Sequence, residues 1–192
     1  MSKTHISILG ILLAIAALAP WAARQWPVEA QLNVRNGALT GITTMPSYWP
    51  IGELTMSSNA TATVIGSSGV YTNMAGTTAL SSFSSGFDMP QNNRLRYTNS
   101  TTATMHIACT VSFSVAAGSN QEFRAQVWKN GTNLIGSEIR DTCNNSTDVE
   151  STAIHTSTTM NQNDYIELFI ANQSSGNNFV VSTFNMFVLG MR

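Results

Sequence analysis

From Thr104 to Val115 the chain alternates without a break. Met105, Ile107, Cys109, Val111, Phe113 and Val115 are apolar, and the residues between them, Thr104, His106, Ala108, Thr110, Ser112 and Ser114, are small or polar. Side chains of an extended strand point to opposite faces at every step, so a period of two held this long defines a strand with one buried face. Such a strand is stable only when its apolar face is covered by a second layer, which restricts the chain to packed sheets.

The residues after it continue the pattern. Phe123, Ala125 and Val127 alternate with Arg124, Gln126 and Trp128, and the run ends at Lys129-Asn130-Gly131-Thr132. Asn-Gly between two strand-like runs signals a type I′ hairpin, whose two central positions need positive φ. The second strand of that hairpin is expected over 133–139. Further strands are expected over 150–158, 165–171 and 179–191, with shorter ones over 53–56, 61–65, 70–71, 83–87 and 95–98. Short strands at this spacing, separated by Gly, Ser and Asn and without helical periodicity, predict an all-β antiparallel sandwich or jelly roll over 53–192.

Composition fits a β protein and narrows its role. Only 10% of the 192 residues are charged, with a net charge of −1, while Ser, Thr and Asn number 22, 23 and 18. There are two lysines and no basic stripe, so binding to a nucleic-acid backbone by counterion release is excluded. The sequence contains no Gly-rich phosphate loop, no HExxH, no Gly-x-Ser-x-Gly and no CxxC pair, and no cofactor is expected. It reads as a non-enzymatic protein that works outside a cytosol.

The N-terminus is different. Lys3 precedes the apolar run Ile6–Ala23, which Arg24 ends, the layout of an export signal or of a membrane anchor. Three readings stand for residues 1–23: a cleaved signal, a retained hydrophobic helix in lipid, or an apolar helix buried against protein. Residues 24–52 contain Pro27, Pro46 and Pro50 and the pair Asn36-Gly37, which favour an extended linker or arm.

The closing strand is apolar on both faces. Phe179, Val181, Phe187, Leu189 and Met191 fall on one side of a strict alternation and Val180, Phe184, Met186 and Val188 on the other. Tyr165–Ala171 is also apolar on both faces except at Glu167. One face belongs to the sandwich core, and the second needs another partner. The expected partner is a second copy of the chain, with Phe184, Met186, Val188, Val180 and Ile166 at the interface; the chain's own arm is the competing cover.

These segments resemble a known family. QEFRAQVWKNGTNLIGSEI at 121–139, MNQNDYIELFIA at 160–171 and the closing strand are similar to the trimeric jelly rolls of the tumour necrosis factor and complement globular-head type. GELTMSSNATAT at 52–63, RLRYTNSTTAT at 94–104, VWKNGT and NDYIEL resemble phage structural proteins that carry this fold. The resemblance covers about residues 52–192. It implies a homotrimer serving as a capsid fibre, decoration or cement protein, or as a tail-spike head. It places the chain on the virion surface, with the major capsid or other virion proteins as partners, lipid contact through Ile6–Ala23, and attachment to a host surface glycan. A secreted or membrane-anchored bacterial surface binding module is the alternative.

Few residues stand out as chemical sites. His106 and His155 fall on the polar faces of strands that neighbour one another in a jelly roll of the resembled type, and read either as a metal or anion site or as two ordinary sheet histidines. Trp128, beside Arg124 and Gln126 on a polar face, is a candidate platform for a sugar ring, or else packs across the hairpin. Asp141, Asp148 and Glu150 flank a loop with oxygen ligands suited to calcium, without EF-hand spacing. Cys109 is expected as a buried free thiol, with a disulfide to Cys143 as the alternative.

Overall fold

The computed structural model describes Val34–Arg35, Ala38–Leu39 and residues 49–191; the apolar run 6–23 and most of the arm lie outside the described residues. Val34–Arg35 (β1) and Ala38–Leu39 (β2) pair as a small antiparallel hairpin, in a unit separate from the one that begins at Tyr48.

The larger unit is built from strands alone among the described residues. They are Ile51–Met56 (β3), Ala62–Thr63 (β4), Thr72–Asn73 (β5), Ala79–Leu80 (β6), Phe87–Gln91 (β7), Arg94–Tyr97 (β8) and Ala103–Val115 (β9). Gln121–Lys129 (β10), Thr132–Asn133 (β11), Ile139–Cys143 (β12), Glu150–Met160 (β13), Tyr165–Asn172 (β14) and Phe179–Met191 (β15) complete it. One sheet runs β13-β9-β15-β3-β6 with β4 added to β15, and the other runs β11-β10-β14-β8-β7 with β12 on β10 and β5 on β14. Pairings within both sheets are antiparallel, and from β8 onward the chain crosses repeatedly between the two. This is a jelly-roll sandwich, within what the alternation predicted.

The long alternating run is β9, an interior strand of the first sheet, flanked by β13 and β15 along almost its whole length. Met105, Ile107, Cys109, Val111, Phe113 and Val115 are buried, and the residues between them face away from the core. Phe123, Ala125 and Val127 of β10 and Ile166, Leu168 and Ile170 of β14 close the core from the other side.

The closing strand departs from strict alternation, and the interface residues change with it. Its register to β9 slips between Val181 and Thr183: these pair with the consecutive residues Phe113 and Ser112, leaving Ser182 as a bulge. The Ser182 hydroxyl donates to the Ser112 carbonyl at 3.2 Å, and the Ser182 carbonyl accepts from the Asn59 amide at 3.1 Å. One extra residue exchanges the two faces of everything beyond it. Phe179 and Val181 before the bulge and Phe184, Met186 and Val188 after it therefore all enter the core of the chain itself, the last three at 0–1% exposure. Phe184, Met186, Val188 and the equally buried Ile166 are thus core residues and do not lie on the outer surface where the sequence expectation put them. Val180, Asn185, Phe187 and Leu189 take the outward face.

Two shorter expectations shift for local reasons. The run expected over 83–87 breaks at Gly86, which has φ of 76°, and the strand begins at Phe87. That strand lies at the sheet edge, where Pro90 removes no needed ladder bond. The hairpin at Asn130-Gly131 forms, with φ of 51° and 76°, but its second strand is only Thr132–Asn133. Gly136, at φ 86°, turns the chain out, and the buried Ser137 hydroxyl holds the excursion by donating to the Leu134 carbonyl at 2.8 Å. The chain rejoins the same edge of β10 as β12.

Candidate functional site

The two outward faces of the sandwich have opposite chemistry. On the β10-β14-β8 sheet, Glu122, Arg124, Gln126 and Trp128 of β10 stand outward beside Tyr165, Glu167, Phe169 and Ala171 of β14 and Arg94 and Arg96 of β8. Arg94 meets Glu167 at 3.0 Å, Arg96 meets Asp88 at 2.6 Å, Arg124 meets Glu122 at 2.8 Å, and Arg140 meets Glu138 at 2.7 Å. The Arg96 guanidinium holds the Asp88 carboxyl below its ordinary range, and the Tyr71 hydroxyl and Arg140 do the same for Glu138. Burial and the Glu138 carboxylate together push the Tyr71 phenol upward. The charges of this face neutralise one another locally, as a solvated surface does.

The candidate sugar platform is already occupied by the protein. Phe169 stacks on Trp128 with ring centroids 4.2 Å apart and planes 16° from parallel, and Tyr71 approaches at 6.1 Å. Gln126 is 5% exposed, and its amide donates to the Leu134 carbonyl under the 134–137 excursion. Arg124 is engaged by Glu122 and Glu138. Of the two readings of Trp128, the structure gives packing, with Phe169 of β14 covering one face of the half-buried indole; Gln126, expected beside it on a polar face, is buried under the hairpin excursion.

The other outward face carries almost no charge. The strands β3, β4, β6, β9, β13 and β15 contain no lysine or arginine, and Glu53 and Glu150 are their only carboxylates. Glu53 is taken up by Asn185, whose amide donates to it at 2.6 Å, and by the Ser81 hydroxyl. The cross-strand register lays out the face in rows. Ser157, His106, Leu189 and Ile51 form one row; His155, Ala108, Phe187 and Glu53 the next; Ala153, Thr110, Asn185 and Thr55 the third. The first two rows are apolar at the β15 end and carry imidazoles toward β13. Beyond the third row, a shallow depression lies between Thr110, Ser112, Ser151 and Thr183, where the Ser112 and Ser151 hydroxyls meet at 2.9 Å.

His106 and His155 come together on this face. They are diagonal neighbours, since His155 lies opposite Ala108 and His106 opposite Ser157. Nδ1 of His155 and Nε2 of His106 are 3.4 Å apart, with ring centroids at 5.5 Å. Among the described residues no group of three or more His, Cys, Asp or Glu is placed to hold a metal, so the calcium reading of Asp141, Asp148 and Glu150 gains no ligand cluster.

Both cysteines are free and buried. Cys109 lies in the core, where burial raises its thiol. Cys143, expected in a polar loop, is the last residue of β12; its sulfur accepts from the Val115 amide and donates to the Asn145 carbonyl, both at 3.4 Å.

The strand order and the two faces define a jelly-roll sandwich with one charged outer surface and one that is nearly uncharged, Glu53 being the carboxylate in its rows. No family model matches the sequence, and no curated protein matches it. Among solved structures, murine APRIL at pH 8.5 aligns with 72% of this chain and 98% of its own, at 14% identity and a TM-score of 0.49. Eiger TNF from S. frugiperda aligns with 74% of this chain and 94% of its own, at 7% identity and 0.46. Rabbit GITRL aligns with 72% and 93%, at 13% identity and 0.40. Likeness at these scores carries no functional argument, and the fold assignment rests on the strand order and register.

Proposed function

We propose that the chain is a non-enzymatic, self-associating structural module whose copies meet through the nearly uncharged face of the β13-β9-β15-β3 sheet. The observation that carries this reading is the segregation of charge. A sandwich surrounded by water has no reason to place its ion-paired arginines on one face and none on the other. A sheet face of Ser, Thr, Ala and His bordered by Phe187, Leu189 and Ile51 has the charge-depleted make-up of an interface core. Closed symmetry among identical copies is the ordinary way to cover such a surface. Following the sequence resemblance, the assembly is a trimer on the surface of a virion, a head fibre or decoration protein anchored by its N-terminal segment.

Sedimentation of the purified protein at several concentrations tests the association, and Phe187→Arg probes the face. The expected result is a trimer that the variant converts to a folded monomer. A wild-type monomer, or a Phe187→Arg trimer, would overturn the assignment of this face. Phe184→Asp is uninformative, because Phe184 is a core residue and its loss unfolds the chain. The location is tested separately, by mass spectrometry of purified particles.

A further inference from the structure

The geometry points to a two-imidazole binding site for a divalent transition metal, formed by His106 and His155 on the nearly uncharged sheet face. A tetrahedral zinc ion with Zn–N bonds of about 2.0–2.1 Å holds two ligand nitrogens about 3.3–3.4 Å apart. Nδ1 of His155 and Nε2 of His106 are 3.4 Å apart, within hydrogen-bonding reach of each other and at the separation of two nitrogens on one such ion. Antiparallel pairing of β9 and β13 fixes the diagonal relation of the two residues, and their rotamers turn the nitrogens toward one another.

The surroundings leave the site open and electrically permissive. His155 is exposed on the edge strand, and His106, between Ser157 and Leu189, is half-buried, so both rings reach the outer surface of the chain. No lysine or arginine occurs on the strands of this sheet to repel a cation. Among the described residues no carboxylate or thiol joins the pair, so the protein supplies two of the ligands and the outward positions are left to water or an outside donor. Imidazole nitrogen without carboxylate selects zinc, nickel or copper over magnesium or calcium.

The test uses the untagged full chain in mild detergent and measures zinc uptake by competition with a chromophoric chelator. His106→Gln and His155→Gln remove one ligand each and, as surface changes, leave the fold intact; melting curves check this. The expected result is uptake of one zinc per His pair in the wild type, lost in both single variants. No uptake by the wild type, or equal uptake by the His106→Gln/His155→Gln double variant, which retains His5 and both cysteines, would overturn the site. Association state is read on the same samples with and without EDTA. A metal-binding monomer would retain this site while removing the assembly, and a metal-free trimer would do the reverse.

Discussion

Phe113 and Phe123 lie face to face across the sandwich, with ring centroids 3.7 Å apart and planes 13° from parallel. The first belongs to β9 and the second to β10, so the stack joins the two sheets directly. Phe179 of β15 meets both edge-on, at 5.8 Å and 5.1 Å. All three side chains are fully buried. Aromatic clusters of this geometry add to the stabilisation from buried area alone.

Replacing Phe123 by Ala empties the middle of that cluster and leaves Phe113 and Phe179 facing a void. The expected cost is about 3–5 kcal/mol. Urea unfolding should show a lower midpoint with an unchanged slope.

Arg94 and Glu167 give a second, chemically different test. Glu167 is 3% exposed and is held by Arg94 at 3.0 Å and by the Asn73 amide at 3.0 Å, while the guanidinium lies 3.8 Å over the Tyr165 ring. Arg94→Met leaves a buried carboxylate short of its cation and should cost about 2 kcal/mol, toward the low side of buried pairs because Arg94 is a quarter exposed. Adding Glu167→Gln should restore most of the loss. If the double variant is no more stable than Arg94→Met, the charge explanation fails.

Asp164 sets an acid limit. Burial opposes its ionisation, but the Asn161 amide, the Lys129 ammonium and the Asn130 side chain together hold its carboxyl below the ordinary 3.8. A carboxyl depressed in the folded state adds stability that is fully present above its unfolded value and is lost as pH falls through the folded one. Stability should therefore show no loss from this group down to about pH 4 and decline below it. In Asp164→Asn the decline should be shallower; an identical acid profile would assign the acid limit to other carboxyls, Asp88 and Glu138 first.

The thiols should be silent in the folded protein. Cys109 and Cys143 are both buried, and burial raises the Cys109 thiol away from its reactive form. Ellman's reagent should find no thiol in native protein and two per chain after unfolding in denaturant. Two thiols missing after unfolding without reductant would reveal a disulfide.

How much was legible in the sequence follows from whether one period held. In β9 the period of two is unbroken, and its length and faces could be read directly. In β15 the same reading failed at Ser182, because a bulge of one residue carries no compositional mark and reverses every later side chain. That single slip moved Phe184, Met186 and Val188 from the expected interface to the core. Gly86 and Gly136 interrupted two expected strands at positive φ, a conformation that glycine permits but does not announce. His106 and His155 were legible as neighbours only through the resemblance to a jelly roll, which makes their strands adjacent; the Thr-rich β13 carries no alternation that would show it. That Trp128 packs was among the readings, but its partner, Phe169, was not legible, because it comes from β14, some 40 residues later in the chain and one strand across the sheet.

The strand β13 ends its sheet, and its 11 residues carry one charge, Glu150, at the first position. Natural sheet edges are usually blunted by lysine, proline or a bulge; β13 contains none of these and pairs with β9 in continuous register, but the Lys129 ammonium reaches over from β10 and donates to the Thr159 carbonyl near its end. Among the described residues no strand pairs with the outer side of β13, so the backbone donors and acceptors beyond the Lys129 contact are open to strand addition unless assembly covers them.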